Sequence, residues 1–588
     1  MLQELIHRFE LGEGARWVRR LAALLALLAL PWWYDTREFR NFNTAEAMEA
    51  AQLARNLARG EGFTTRSIRP FSLHLVEQQQ GLEAGLAGAP HPDLVTPPLY
   101  PVLLAGLMKG LPFDHNPEAM LWRYQPEVLI ALWNQLLFFA TLWLVFRIAQ
   151  RLFDTEVGVV SVALLAASDV LWRFTTSGLS TVLAMFLVTA VAWVVVRVSE
   201  SERAPEPSRR RAVQWAALGG LLIGLAGLTR YTLLALLIPW ILLPWCFGAR
   251  HKLMVGLVGV LVAAGVVAPW ILRNQHLSGA PFGVTGYAVY QDTEPWPGER
   301  LERSVAPDSP RVEVGYLVRK VLQGALRVTR EDVPRMGGNW LGGFLLAGLI
   351  LRFRNPTVSR LRAFVILAFI VFFVAQAAGR THLSDDSPVI NSENLMILIA
   401  PLVVVFGAGL LSVLLDQLDF PIPEMRHALT ILLVGVAAAP LLLTLLLPAG
   451  NPIAYPPYYP RWIAANARLL EPDELMMSDI PWAVAWYGDR PCVWTPTDAN
   501  ESFYALNDRQ KRVAAIYLTQ RTTDARFLTD IYHGGDDDWG RFMFRVLVDR
   551  ELPTGFPLTH AWQRYLPDQF FLADRPRWLE PSPADAAP

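Results

Sequence analysis

Two carboxylates, Glu46 and Glu49, stand three residues apart in the segment 43–63 (NTAEAMEAAQLARNLARGEGF). That spacing puts both on one face of a helix. The segment follows the first long apolar run of the chain, where the polypeptide is expected to emerge from a bilayer. An acid fixed at that boundary can take a proton from a hydroxyl held at the membrane surface, and two acids can share a metal ion. The same spacing also serves a solvated helix face whose acids pair with Arg55 or Arg37. Asp35 is a third acid at the same boundary.

Other charged residues border apolar runs. Asp169 lies near the end of one run, beside Arg173; it either marks function or is satisfied by that arginine. Arg230 interrupts two apolar runs, and Arg273 follows Pro269–Trp270. A guanidinium at a membrane boundary either grips a phosphate through parallel hydrogen bonds or extends its head to water from an apolar stem.

The elements that position these residues are predicted to be membrane helices. Of 588 residues, 53% are hydrophobic and only 18% charged. The apolar residues gather in runs of about 17–22, the length that crosses a ~30 Å hydrocarbon core as a helix. Twenty-one Trp fit a chain with many interfacial positions. The net charge of −1 gives no sign of nucleic-acid binding, and Cys246 and Cys492 lie too far apart to suggest a disulfide or a thiolate metal site. The run after Arg16–Arg20 continues through aromatic residues to Tyr34 without a cleavage site, so it is expected to be a retained first helix.

Eleven spans are expected: 16–34, 127–148, 156–172, 177–197, 212–229, 231–247, 252–272, 339–352, 362–378, 394–415 and 428–448. A cytoplasmic N-terminus puts Arg147 with Arg151, Arg203 with Arg209–Arg211, Arg250 with Lys252, and Arg352, Arg354, Arg360 and Arg362 on the inside. The C-terminus is then outside. The expected fold is a mainly α polytopic membrane domain (1–448) with large outer loops 35–126 and 273–338, followed by a small outer α/β domain (449–588). Segment 98–111 is apolar but too short to span and is expected as an interfacial or re-entrant half-helix. In the tail, 475–478, 483–487, 491–494 and 514–518 are expected to be strands.

The order of several pieces is informative: an acid after the first span, ARNLARGEGF (54–63), HPDLVTPPLYPVLL (91–104), GLLIGLAGLTRYTLL (220–234) and APWILRNQHLSGAPF (268–282). In this order and topology the chain resembles the bacterial GT-C membrane glycosyltransferases of the protein-mannosyltransferase-like group (family 39), which includes lipid A aminoarabinose transferase-like enzymes. The resemblance runs over residues 16–415 and is strongest in the first outer loop. It implies an enzyme of the bacterial plasma membrane that moves a sugar from a polyprenyl phosphate to a lipid, glycan or protein acceptor at the outer face, with inversion. No nucleotide fingerprint is present.

The resemblance also assigns roles. Glu46 falls on the family's acidic position, with Glu where Asp is usual; Glu49 is the alternative one turn on. A second acid is expected near 175–187, where this chain has Ser180 and Thr181, so Asp169 is the candidate to replace it. Arg230, Arg273 and Arg380 are expected on the donor phosphate. His91 and Tyr100, in a stretch similar to the family's His-x-Pro-Pro-Leu-Tyr, and His382 are expected on the substrate. A divalent metal ion is the one cofactor the resemblance leaves open. Two other functions compete: a transporter or flippase of a lipid-linked glycan, and a non-catalytic envelope scaffold. The concentration of polar residues and long loops on one side, rather than in mid-span, favours surface chemistry.

Overall fold

Apolar length decides which helices of the computed structural model can cross a bilayer. The structure describes residues 13–81, 90–117, 123–203, 208–246, 251–307, 312–338, 341–419, 422–447, 458–522, 538–562 and 569–578. The chain opens with helix α1 (Glu13–Glu38), then α2 (Ala45–Arg59), strand β1 (Ser67–Ile68), α3 (Pro70–Gln80) and α4 (Leu99–Gly110). The membrane part continues with α5 (Gln125–Leu152), α6 (Thr155–Ala166), α7 (Asp169–Thr176), α8 (Thr181–Ser201) and α9 (Arg209–Thr229). After it come α10 (Leu237–Cys246), α11 (Lys252–Ser278), α12 (Val314–Arg327), α13 (Gly342–Ala347), α14 (Pro356–Gly379), α15 (Met396–Asp416) and α16 (Pro423–Leu446).

Among the described residues, seven helices are long and apolar enough to span: α5, α8, α9, α11, α14, α15 and α16. The pair α6 and α7, bent by 61° at its break, makes an eighth if it counts as one span. Three of the eleven expected segments are not among these helices. Segment 231–247 forms a 3₁₀ turn running into α10, Tyr231–Cys246 in all, which is too short. Of segment 339–352, the described residues 341–352 hold the six-residue α13 followed by turns; its glycines favour turns over a continuous helix. Segment 16–34 is helical within α1 but is not among the seven.

The segment between α1 and α5 is built around two helices, α2 and α4. The alanine-rich α2 is a strong helix former and ends at Gly60, whose left-handed φ of 83° lets its N–H reach back to the Asn56 and Leu57 carbonyls. The half-helix expected at 98–111 is α4, which packs along α2.

The tail adds α17 (Pro460–Arg468), β2 (Leu475–Ser478), β3 (Cys492–Trp494), α18 (Glu501–Arg509), β4 (Val513–Leu518), β5 (His560–Trp562) and β6 (Phe570–Ala573). The sheet order is β1-β3-β2-β4-β6-β5; β1 to β4 run parallel, and β6 is antiparallel to both β4 and β5. Its edge strand β1 comes from the segment between α2 and α3, with Ser67 425 positions before its partner Cys492, so that segment and the tail share one sheet. Segment 483–487 is a correction: it is a helical turn (Val484–Gly488), not a strand. A short, fully buried apolar run has no periodicity to separate the two. Arg55 fixes that turn, donating to the Ala485 and Trp486 carbonyls at 2.6 and 2.7 Å and pairing with Asp489 at 2.8 Å. Glu127, at the start of α5, ties loop to tail by accepting from the Phe42 amide, the Trp486 indole and the Tyr487 hydroxyl at 2.7, 2.8 and 2.7 Å.

Candidate active site

Glu46 occupies the first turn of α2, where the helix dipole favours an acid. Its Oε1 accepts from the Ser392 hydroxyl at 2.7 Å. The carbonyl of the same Ser392 accepts from Nη1 of Arg230. Arg230 is buried, and it also donates to the hydroxyls of Ser180 and Thr181. The two hydroxyl residues standing where an acid was expected therefore hold an arginine instead. Glu46 and Glu393 are the acids whose charge acts on that arginine. Three distant segments, the start of α2, the junction of α9 with the 3₁₀ turn and the loop before α15, thus converge on Ser392.

Glu393 organises that loop. Its carboxylate accepts from the Thr381 amide at 3.0 and 3.1 Å and from the hydroxyls of Thr381 and Ser384. Sequence reasoning singled out Arg380 and His382 in this loop but passed over Ser392 and Glu393. The available signal was the polar SEN triplet set directly before the apolar run of α15.

Glu49 is committed elsewhere. Arg69 clasps it with two bonds of 2.7 and 3.0 Å, Ser67 adds a third at 3.2 Å, and Arg69 also donates to Glu302 at 2.7 Å. Burial pushes the Glu49 carboxyl up, and the Arg69 charge pulls against it. Neither glutamate pairs with Arg37 or Arg55; Arg55 belongs to Asp489, and Arg37 donates to the Leu447 carbonyl.

Arg273 lies over the Trp270 and Phe63 rings, at 4.5 and 5.4 Å, and donates to the Asp93 and Phe63 carbonyls at 3.0 and 3.2 Å. It is linked to Arg230 through Asn274 and Tyr231: Asn274 meets Arg273 at 2.9 Å and the Tyr231 hydroxyl at 3.3 Å. His91 bonds Ser72 at 2.7 Å through Nε2, and burial holds its imidazole down at about 4. Nearby Asp93 is pushed up to about 6, again by burial. Tyr100 is buried and donates to the Gly178 carbonyl at 2.9 Å, fixing α4 to the turn before α8. That turn requires glycine: Gly178 has φ of 77°, and a Cβ there would sit 2.4 Å from the Phe42 ring.

Arg380 is buried among Asp332, Asp385 and Glu331, at 3.6, 3.7 and 3.8 Å. His382, Glu299 and Asp386 form the one candidate metal cluster among the described residues, their donor atoms within 4.8 Å of one another. Arg521, which follows β4, donates to both of its carboxylates. Burial pushes the Glu299 carboxyl up, but Arg521, His382 and Arg303 together hold it down to about 2. Asp169 stands apart from Glu46, paired with Arg173 at 2.7 Å on the wall of a separate cavity.

Comparison with known proteins gives the fold a context. Residues 123–272 match the family described as dolichyl-phosphate-mannose-protein mannosyltransferase. No curated protein sequence matches. The archaeal oligosaccharyltransferase AglB from Archaeoglobus fulgidus, in complex with an inhibitory peptide and a dolichol-phosphate, superposes with a TM-score of 0.53 at 12% identity, over 88% of this chain and 71% of that one. A complex of the Archaeoglobus fulgidus oligosaccharyltransferase with Zn and sulfate gives 0.51 at 12% identity, over 86% and 69%. ArnT from Cupriavidus metallidurans bound to undecaprenyl phosphate gives 0.52 at 12% identity, over 96% and 99%. The chain shares the fold of these two proteins, and its residues 123–272 match the mannosyltransferase family.

Proposed function

We propose that this protein is a membrane glycosyltransferase that takes a sugar from a polyprenyl-phosphate donor at the outer face of the bacterial plasma membrane, with Glu46 as general base. The observation that carries this reading is the convergence of Glu46 and Arg230 on Ser392. An acceptor hydroxyl beside Glu46 gives up its proton to the carboxylate as its oxygen bonds to the anomeric carbon on the face opposite the phosphate. The bond from that carbon to the phosphate oxygen breaks, the configuration inverts, and the polyprenyl phosphate leaves with the electron pair. Arg230, and Arg273 beyond it, provide the positive charge that the leaving phosphate needs.

The known polyprenyl-phosphate complexes of proteins with this fold support the donor class. A setting at a membrane surface is supported by α12. It turns Val314, Val318, Leu322 and Leu326 outward while Lys320 is held by the carbonyls of Ala288, Val289 and Gln291. A helix with one apolar face exposed and its polar face committed to protein suits the headgroup region.

A divalent ion fits the cluster of Glu299, His382 and Asp386 poorly while Arg521 is seated there, because the guanidinium already answers both acids. No step is therefore assigned to that cluster.

The test is sugar release from labelled polyprenyl-phosphate sugars by purified protein, wild type beside Glu46→Gln. Loss of turnover with donor binding kept supports the reading. Equal turnover in both removes Glu46 from the chemistry, and binding without turnover by wild type on every donor turns the reading toward transport.

A further inference from the structure

A cavity of about 390 Å³ lies between α7, the turn 335–338, α13, α15 and α16. Its polar lining is Asp169, Arg173, Arg335 and Ser168, and most of the rest is apolar, including Met336, Leu345 and Pro440. Asp169 is only 8% exposed. Its Oδ2 accepts from Arg173 at 2.7 Å, while its Oδ1 is buried without a hydrogen-bond partner. A buried carboxylate oxygen left unpaired is costly, so it is a place for a donor from outside the chain. Arg335 donates to the Pro388 carbonyl and to Asp332 at 3.4 Å. The lining thus holds two guanidiniums against one carboxylate.

The wall formed by α16 separates this cavity from the bilayer. Only 11% of the spanning stretch of α16 is buried, and Ile431, Leu432 and Leu443 are exposed on it. Pro440, inside this helix and on the cavity wall, has no N–H to give to the helix ladder there. A ligand reaching the cavity past α16 arrives from lipid.

We propose that this cavity binds a membrane lipid whose headgroup carries a phosphate next to free hydroxyls. The phosphate meets Arg173 and Arg335, a hydroxyl donates to Asp169 Oδ1, and the acyl chains leave along α16. The volume suits one headgroup with the start of its chains. The site does not depend on the glycosyl-transfer reading, but it adjoins the same segments. Asp169 and Arg173 lead through Gly178 to Ser180 and Thr181, which hold Arg230; Pro388 and Val389 lead to Ser392, which holds Glu46. An occupied cavity braces both.

The experiment is equilibrium binding of short-chain phosphatidylglycerol to purified full-length protein in detergent. Phosphatidylcholine of equal chain length and glycerol 3-phosphate serve as comparison probes. Wild type is expected to bind phosphatidylglycerol at least tenfold more tightly than either. Arg173→Gln with Arg335→Gln, and separately Asp169→Asn, are expected to weaken it about tenfold. Ala437→Trp, which fills the cavity from α16 without touching a charge, is expected to abolish it while the thermal midpoint stays within a few degrees of wild type. Equal binding of the two lipids, or unchanged binding in Ala437→Trp, overturns the proposal. Binding of glycerol 3-phosphate as tight as the lipid overturns the membrane source and assigns the site to a soluble polyol phosphate. Because no turnover is measured, these outcomes are independent of whether Glu46 is a base.

Discussion

Glu46 and Arg230 are 184 positions apart in the chain, yet one residue, Ser392, serves both: its hydroxyl donates to the carboxylate and its carbonyl accepts from the guanidinium. Moving either partner therefore moves the other through a single backbone position. The arrangement puts a proton acceptor and a fixed positive charge on either side of one serine, the pair that displacement of a phosphate by a hydroxyl requires.

Replacement of Glu46 by Gln keeps the hydrogen bond from Ser392 and removes the basicity. The expected result is a fall in kcat of about 10²- to 10⁴-fold with donor KM little changed. Ser392→Ala keeps the base but frees it, and a fall of roughly tenfold is expected from losing one hydrogen bond to a charged acid. Steady-state turnover of a labelled donor checks both, and similar losses in the two variants would mean that Glu46 acts through structure.

Arg230 is held by two hydroxyls and a carbonyl in fixed directions, geometry that a guanidinium fork matches and an ammonium does not. Arg230→Lys is therefore expected to behave almost as badly as Arg230→Gln. Both should raise the donor Kd by about 10- to 100-fold, in line with roughly 1.5–3 kcal/mol per charged hydrogen bond. Full recovery of binding by the lysine variant would reduce Arg230 to a general source of positive charge.

Glu49 and Arg69 make the opposite case. Both are buried, and Arg69 bridges Glu49 to Glu302. Removing Glu49 leaves Arg69 paired with Glu302 alone and takes the acceptor from its two other buried guanidinium bonds, at a cost of about 1.5–3 kcal/mol for each charged hydrogen bond lost. Glu49→Ala is expected to lower the thermal midpoint of the purified protein by several degrees, and Glu46→Gln to leave it nearly in place. A stable Glu49→Ala protein that had lost turnover would return Glu49 to the candidates for the base.

The sequence made the helix bearing Glu46 legible because alanine content, helical spacing and the terminal glycine all agree over 45–60. It also placed Arg230 at a helix end, because an arginine between two apolar runs has few other positions. Ser392 and Glu393 were hidden, since polar residues in a loop carry no period and their value comes from segments far away in sequence. The sharing of β1 with the tail sheet was hidden for the same reason: a two-residue edge strand is too short to show alternation. Two of the expected spans rest on glycine-rich or short apolar stretches, and their described parts, 341–352 and 231–246, fold as turns and part-helices, because apolar content alone does not fix helix length.

His91 and Asp93 flank Pro92 in the loop that carries the Arg273 contact, and their titrations oppose each other. Burial lowers His91 from 6.5 to about 4, so between those values the unfolded chain binds more protons and stability rises with pH. Burial raises Asp93 from 3.8 to about 6, so across nearly the same window the folded protein binds more protons and stability falls as pH rises. Each contribution is about 3 kcal/mol at 1.36 kcal/mol per unit, so the two nearly cancel in the wild type. Relative to wild type, His91→Gln is expected to gain stability at pH 4.5 over pH 6.5, because the Asp93 contribution is then unopposed. Relative to wild type, Asp93→Asn is expected to shift in the opposite direction. Thermal unfolding of the three proteins at the two pH values measures this directly, and changes from wild type of the same sign in both variants would show that the loop does not hold the two groups in their buried states.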